Sequence, residues 1–229
     1  CHSTWSDGGN SILEMAQAAK KKGYQYIAIT DHSQGLRVAN GLSIADLKKK
    51  RREIEKLNKG FKDFHILYGT EVDIDGNGAL DYPDKVLGEF DIVVAAIHAG
   101  FKQLKEQLTR RIVRACKNKN VDVIAHPTGV LWGQREAYDL DFDEVFKVAG
   151  DTGTFLEINS FFNRLDLNDI HCRRAKELGA KMAITTDAHS IEQLGLMELG
   201  VAVARRGWLN KSDVVNTLSW DGLLKAIKK

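Results

Sequence analysis

The chain has 229 residues, of which 43% are hydrophobic and 28% charged, with a formal net charge of +2. This is the make-up of a soluble globular protein, and the length fits a single α/β domain spanning 1–229. No apolar run approaches the roughly 18–20 residues that cross a bilayer, no secretory leader pattern opens the chain, and three cysteines without metal-type spacing read as reduced thiols in the cytoplasm.

The first nine residues, CHSTWSDGG, place His2 and Asp7 in a short loop whose glycines let it turn into a helix over 10–22. Asn10 or Ser11 caps that helix, Glu14 stands three positions after Ser11, and Gly23 ends it. Short apolar runs rich in β-branched residues predict strands over 26–30, 65–74, 91–97, 122–126, 154–159 and 181–186. Amphipathic segments over 43–58, 102–118, 141–150, 168–178 and 191–206 predict the helices between them. In the helix over 43–58, Leu47, Ile54 and Leu57 recur at helical spacing, and the KKKRR run at 48–52 reads as a solvated face. The minor alternative for that run is a footprint for a phosphate backbone. The tail from 212 onwards predicts a short helix pair that either closes a barrel or docks on other domains. Strand–helix alternation with continuous apolar strands specifies a parallel sheet covered by helices. A doubly wound sheet and a barrel satisfy it equally.

The polar residues within and just after each apolar run are more informative. The first run ends in Asp31-His32, the second contains Glu71, the third ends in His98 and the fourth in His126. The fifth supplies Glu157 and Asn159, and the sixth ends in Asp187-Ala188-His189. In a parallel α/β sheet the carboxyl ends of the strands share one side, so these groups converge on one mouth. Each taken alone has a structural explanation, as a hydrogen-bonded histidine, a salt-bridged carboxylate or a helix cap. Together they would be costly to bury without a counterion. His65 and His171 fall outside the pattern and read as structural. Imidazole with carboxylate and no thiol suits Zn²⁺, Mn²⁺ or Fe²⁺ in a reactive site. So many ligands imply more than one ion, with Glu71 bridging, and clustered ions suit phosphoester hydrolysis. Phosphate-loop, nucleophile-elbow and dinucleotide fingerprints are absent.

The ordered motifs CHSTWSDG, TDHS, GTEVDI, IHAG, AHPTG, EINSF and TTDAHS resemble those of the PHP (polymerase and histidinol phosphatase) family over essentially the whole chain. GTEVDIDGNGALDYPD, AHPTGVLWGQREAYDLD and EINSFFNRLDLND look specific to the C-terminal PHP domain of X-family DNA polymerases. The resemblance implies a distorted (β/α)7 TIM-like barrel and a centre of two to three divalent ions. His2, Glu71 and Asp187 would hold one ion; Glu71, His98 and His126 a second; Asp7, His32 and His189 a third. Glu71, Asp187, His98 and His189 would then carry the catalysis. Family members open with an H-x-H pair, of which His2 is the second histidine. The first, and the strand that carries it, would precede Cys1, which leaves the first strand truncated.

The activity so implied is metal-dependent 3′-to-5′ exonuclease or DNA end processing, in which a metal-bound hydroxide attacks phosphorus, beside upstream polymerase domains and with DNA 3′ ends as partner. The alternatives are a small-molecule phosphatase and a module that has lost catalysis. Arg164 either forks onto a phosphate or pairs with Asp166; Arg135 is a weaker candidate of the same kind, and Asn159 joins them at the substrate. Asp31 is expected to orient a ligand from behind. Trp132 and Tyr138 are candidates for stacking on a base, with core packing or loop anchoring the favoured reading.

Overall fold

In the computed structural model, which describes residues 1–227, the six apolar runs form six strands. These are β1 (Tyr26–Ile29), β2 (His65–Asp73), β3 (Ile92–Ala96), β4 (Val123–Ile124), β5 (Phe155–Asn159) and β6 (Met182–Thr185). All pair in parallel, in the order β1-β2-β3-β4-β5-β6. A doubly wound sheet reverses its strand order at a switch point. Consecutive winding instead curls the sheet one way, and here it makes a half-barrel.

The helices that flank the strands are α1 (Ile12–Lys21), before β1, then α2 (Ile44–Asn58), α4 (Lys105–Cys116), α5 (Phe142–Thr152) and α6 (Asp169–Glu177), and α7 (Met197–Arg206) after β6. A one-turn helix α3 (Asp84–Leu87) precedes β3, and α8 (Trp220–Ile227) ends the described chain. Ser11 caps α1 in a reciprocal capping box with Glu14, as its spacing predicts. Alternation along the strands separates two cores. Val93, Ala95, Ile124, Leu156, Ile158 and Met182 pack with residues of the covering helices. Leu67, Val94, Val123, Phe155 and Ala183 face inward, where Leu223 and Ile227 of α8 meet them.

Of the expected distorted (β/α)7 barrel with a truncated first strand, the described residues show a six-stranded half-barrel whose outermost strands are β1 and β6. Two segments lie across the gap between them. At the carboxyl end, Thr30 N–H donates to the Cys1 carbonyl at 2.7 Å and His2 N–H to the Ala188 carbonyl at 2.8 Å. Near β6, Asn216 pairs through its amide with both backbone groups of Ile184 at 3.0 and 2.8 Å. Tyr26 then donates to the Leu218 carbonyl at 3.0 Å, and His65 stacks on Trp220. Between these segments lies a cavity of about 650 Å³ lined by Ala28, Val94, Phe155 and Ala183.

The tail is therefore not a helix pair. Residues 211–213 and 215–217 form 3₁₀ turns and only α8 is an α-helix, because Asn216 spends its side chain on the β6 backbone. The last two residues of the predicted pair lie outside the described residues. The helix predicted from 191 likewise begins as a 3₁₀ segment, Glu192–Leu196, before α7. There the Gln193 side chain accepts the His189 N–H at 2.6 Å, which holds the first turn against the strand end.

Candidate metal centre

Glu71, in β2, stands at the middle of the mouth. Its Oε1 lies 3.1 Å from His98 Nε2 and 3.1 Å from His126 Nε2, and its Oε2 lies 3.4 Å from His2 Nε2. His2 is buried with its ring stacked between His32 at 4.3 Å and His189 at 4.2 Å. Its Nε2 is 3.2 Å from Asp187 Oδ1. Asp7 Oδ1 faces His189 Nε2 at 3.4 Å and His32 Nε2 at 3.8 Å. Three groups thus have ligand atoms within 4.8 Å of one another: His2, Glu71 and Asp187; His2, Asp7, His32 and His189; and His32, Glu71 and His98. All eight residues that the sequence singles out as ligands meet in this cluster. His126 joins it through Glu71, and His2 and His32 each stand in two groups.

The donors fit divalent ions. Nδ1 of His2, His32 and His126 is buried without a hydrogen-bond partner, the donor set contains no thiol, and carboxylates sit among imidazoles. Burial pushes Glu71 up, but His32 and the hydrogen-bonding imidazoles of His126, His2 and His98 hold it well below the usual carboxylate range. Burial lowers the imidazoles, yet Asp187 and Glu71 bring His2 up to about 9, and Asp73 and Glu71 bring His98 up to about 10. The field that raises those two rings is a field that attracts a cation.

Behind the ligands stands a supporting layer. Asp31, after β1, accepts Ser3 N–H at 2.7 Å and Ser6 Oγ at 2.8 Å, so it holds the loop between His2 and Asp7. That loop doubles back tightly: a Cβ at Gly8 would come within 2.7 Å of the His2 carbonyl. Lys50 Nζ reaches Asp31 Oδ2 at 2.8 Å and also donates to the Ile29 and Gly69 carbonyls at 3.0 and 2.9 Å. Three acceptors for three protons identify a buried ammonium. Burial pushes Asp31 up, and the Lys50 charge outweighs it, leaving the carboxyl at about 2. Reading the KKKRR run as wholly solvated is therefore wrong at its third lysine, which is fully buried. The signal was present, since 47, 50, 54 and 57 form one apolar stripe that includes position 50.

Other supports obey period-two spacing along a strand. Asp73, two after Glu71, bonds His98 Nδ1. Glu157 accepts the His126 N–H and the Thr185 hydroxyl, and burial with Asp187 and Glu71 nearby raises it to about 8. Asn159, two after Glu157, donates to Asp187 Oδ2 at 3.0 Å. His126 and Asp187 both take positive φ, 28° and 49°, a conformation non-glycine residues adopt mainly where surroundings impose it. This backbone turn also ends β4 after two residues.

Arg164 does not pair with Asp166. Its Nε lies 3.4 Å from Asp187 Oδ2, and Asp166 instead accepts Thr128 N–H at 3.0 Å and Gly129 N–H at 3.1 Å. Arg135 donates to the Gly129 carbonyl at 2.7 Å with its guanidinium 4.0 Å over the Phe101 ring. Tyr138 is buried against Phe101, whereas Trp132 is 63% exposed and donates its indole N–H to the Arg164 carbonyl at 2.9 Å. Core packing holds for the first and loop anchoring for the second. Of the two remaining histidines, His171 stacks on Phe142 and His65 on Trp220, in agreement with a structural reading.

Burial raises Asp166 to about 6, only partly opposed by its hydrogen bonds to Thr128. The folded state therefore holds this proton more tightly than the unfolded chain. Stability from the group is complete below the unfolded value near 4 and is lost as pH rises through 6. Asp166→Asn is expected to remove a slope of roughly 2–3 kcal/mol between pH 4 and 7, read as the difference in urea unfolding between variant and parent in EDTA.

A half-barrel carries at its carboxyl mouth a cluster of imidazoles and carboxylates that could hold metal ions. The PHP domain model matches residues 1–161, and the chain belongs to the PHP family. It is 51% identical over 218 residues to "DNA polymerase/3'-5' exonuclease PolX" of Bacillus subtilis, across 95% of this chain and 38% of that protein. It thus spans well under half of that relative. A probable phosphatase of Thermoanaerobacter sp. is 33% identical, across 91% of this chain and 84% of that protein. Among solved structures, histidinol phosphate phosphatase of Lactococcus lactis, complexed with zinc, L-histidinol and phosphate, has the same fold with a TM-score of 0.65 at 17% identity, covering 91% of this chain and 92% of that one. No helix among the described residues is long and apolar enough to cross a membrane.

Proposed function

We propose that this chain is a metal-dependent phosphodiesterase that trims DNA 3′ ends, in the cytoplasm and beside polymerase domains in a longer protein. The observation that carries the reading is the cluster around Glu71, with Arg164 at its rim 3.4 Å from Asp187. Identity of 51% with a protein named as a 3′-5′ exonuclease supports the choice of DNA. His2, Glu71 and Asp187 would hold one ion, Glu71, His98 and His126 a second, and Asp7, His32 and His189 a third. Ions bound there, zinc, manganese or iron, supply a nucleophile at neutral pH and offset the charge that develops on phosphorus.

The chain's own residues do the rest. Glu71, Asp187, His98 and His189 fix where positive charge faces the scissile group. Asn159 and Arg164 bracket Asp187 from the other side, and the outer nitrogens of Arg164 are a fork suited to a non-bridging phosphate pair. Arg135, braced on Phe101, adds charge to the same rim. Glu157 and Asp73 fix ligands from behind: Glu157 at the His126 backbone, Asp73 at the His98 ring. A small-molecule phosphatase is the second reading, supported by the 33% identical relative that carries that name.

Protein prepared without chelator is expected to carry two to three equivalents of transition metal. With Mn²⁺ it should shorten 5′-labelled single-stranded DNA from the 3′ end faster than it cleaves a generic phosphomonoester. Cleavage of the monoester with DNA untouched sinks the nuclease reading in favour of the second. Absence of metal, with His98→Ala behaving like the parent, sinks both.

A further inference from the structure

Two loops at the mouth are joined into one rigid rim. Trp132 N–H donates to the Asn163 carbonyl at 2.7 Å, its indole N–H to the Arg164 carbonyl at 2.9 Å, and Arg164 Nη1 to the Val130 carbonyl at 3.4 Å. Asp166 ties the same loops together through Thr128 and Gly129. A Cβ at Gly129, where φ is +65°, would fall 2.2 Å from the Tyr138 ring, so the loop lies flat against that buried tyrosine. On this frame sit two large apolar side chains facing water, Trp132 and Phe162, each 63% exposed. The indole is held by its one polar atom, and Phe162 is backed by the Phe161 ring at 4.8 Å. Two residues after Phe162, and bonded through its carbonyl to the Trp132 indole, lies Arg164, whose guanidinium reaches Asp187.

Exposed aromatic rings are costly in water, and here one of them is tied to the backbone of Arg164, whose guanidinium faces the cluster. That combination matches a flat π-system attached to a phosphate, which is a nucleotide whose base is out of the duplex stack. A phosphorylated metabolite without a ring would use the guanidinium alone.

Resting on the nuclease reading above, we propose that Trp132 and Phe162 form a stacking platform for unpaired bases at the 3′ end of the strand, while Arg164 meets the adjoining phosphate. The preferred substrate is then a single-stranded or frayed 3′ terminus, recognised by base faces without sequence preference.

The test uses the full chain loaded with Mn²⁺ and two single-stranded oligonucleotides that differ only in whether their 3′-terminal residues carry bases. The parent is expected to show a KM lower by roughly tenfold for the strand with bases. Trp132→Ala combined with Phe162→Ala should erase that difference, and Trp132→Phe should keep most of it. Trp208→Ala, at an equally exposed tryptophan packed under Arg173 on another part of the surface, should discriminate as the parent does. A parent that degrades both strands alike, or a double variant that still discriminates, overturns the platform and leaves the nuclease reading standing; the aromatic pair is then a protein-docking face. A parent that hydrolyses a phosphomonoester but neither binds nor shortens DNA overturns both.

Discussion

Glu71→Gln is expected to lower phosphoester hydrolysis by about a thousandfold, the scale of the several kcal/mol that metal-borne charge stabilisation supplies. The amide keeps the size of the carboxylate and removes the negative charge that three imidazoles face at 3.1 to 3.4 Å. Because this one side chain belongs to two of the three ligand groups, metal content should fall by more than one equivalent. Plasma emission analysis of chelator-free protein, run beside the activity assay, reads both quantities. Loss of activity with full metal content would place Glu71 at the reacting atoms and remove it from the ligand set. Parental values of both would mean that the cluster is not the active site. Glu71→Asp, which keeps the charge on a shorter arm, is expected to fall between.

Lys50→Met is expected to reach the same centre from the far side of the sheet. It leaves Asp31 as an uncompensated buried carboxylate, and breaking a buried pair in this way costs about 3–5 kcal/mol. The methionine fills the stem's volume, so packing loss contributes little. Urea unfolding reads the stability. A second consequence separates this from a general weakening: Asp31 positions Ser3 and Ser6, hence the loop that carries His2 and Asp7. Metal retention should fall at the ligand groups that contain those residues before it falls at His98 and His126. A change below about 1 kcal/mol would mean that the ammonium is replaceable by water, contrary to its three direct hydrogen bonds.

Alternation of strands and helices was legible because buried parallel strands must be apolar on both faces while their covering helices need only a stripe. The site was legible for a related reason. A polar residue that terminates an apolar run in this architecture has one place to go, and His32, His98, His126 and Asp187 go there. Alternation alone does not encode which neighbour a strand takes; consecutive pairing was implied only by the resemblance to a TIM-like barrel family, and the β1–β6 gap appears only in three dimensions. Lys50 escaped because a basic run is normally solvated, and one position of it lies on the stripe of Leu47, Ile54 and Leu57. Arg164 paired with Asp187 rather than with its sequence neighbour Asp166, because backbone N–H groups from another loop claim that carboxylate first. Loop anchoring of Trp132 was legible as one reading, but which carbonyls would hold it was not, since they belong to a loop some thirty positions away.

Consecutive winding places the first strand's approach and the last strand's exit side by side, so His2 and Asp187 touch although they are 185 positions apart. Ions at this seam would be a reversible cross-link closing a loop nearly as long as the chain itself. Such a contact is the least local that this topology offers and forms late, after the intervening strands have stacked in turn. Loading and folding then share one equilibrium: each tenfold excess of free ion over its dissociation constant deepens the native state by about 1.4 kcal/mol per site. The centre would thus govern how long the protein persists, and not only what it hydrolyses.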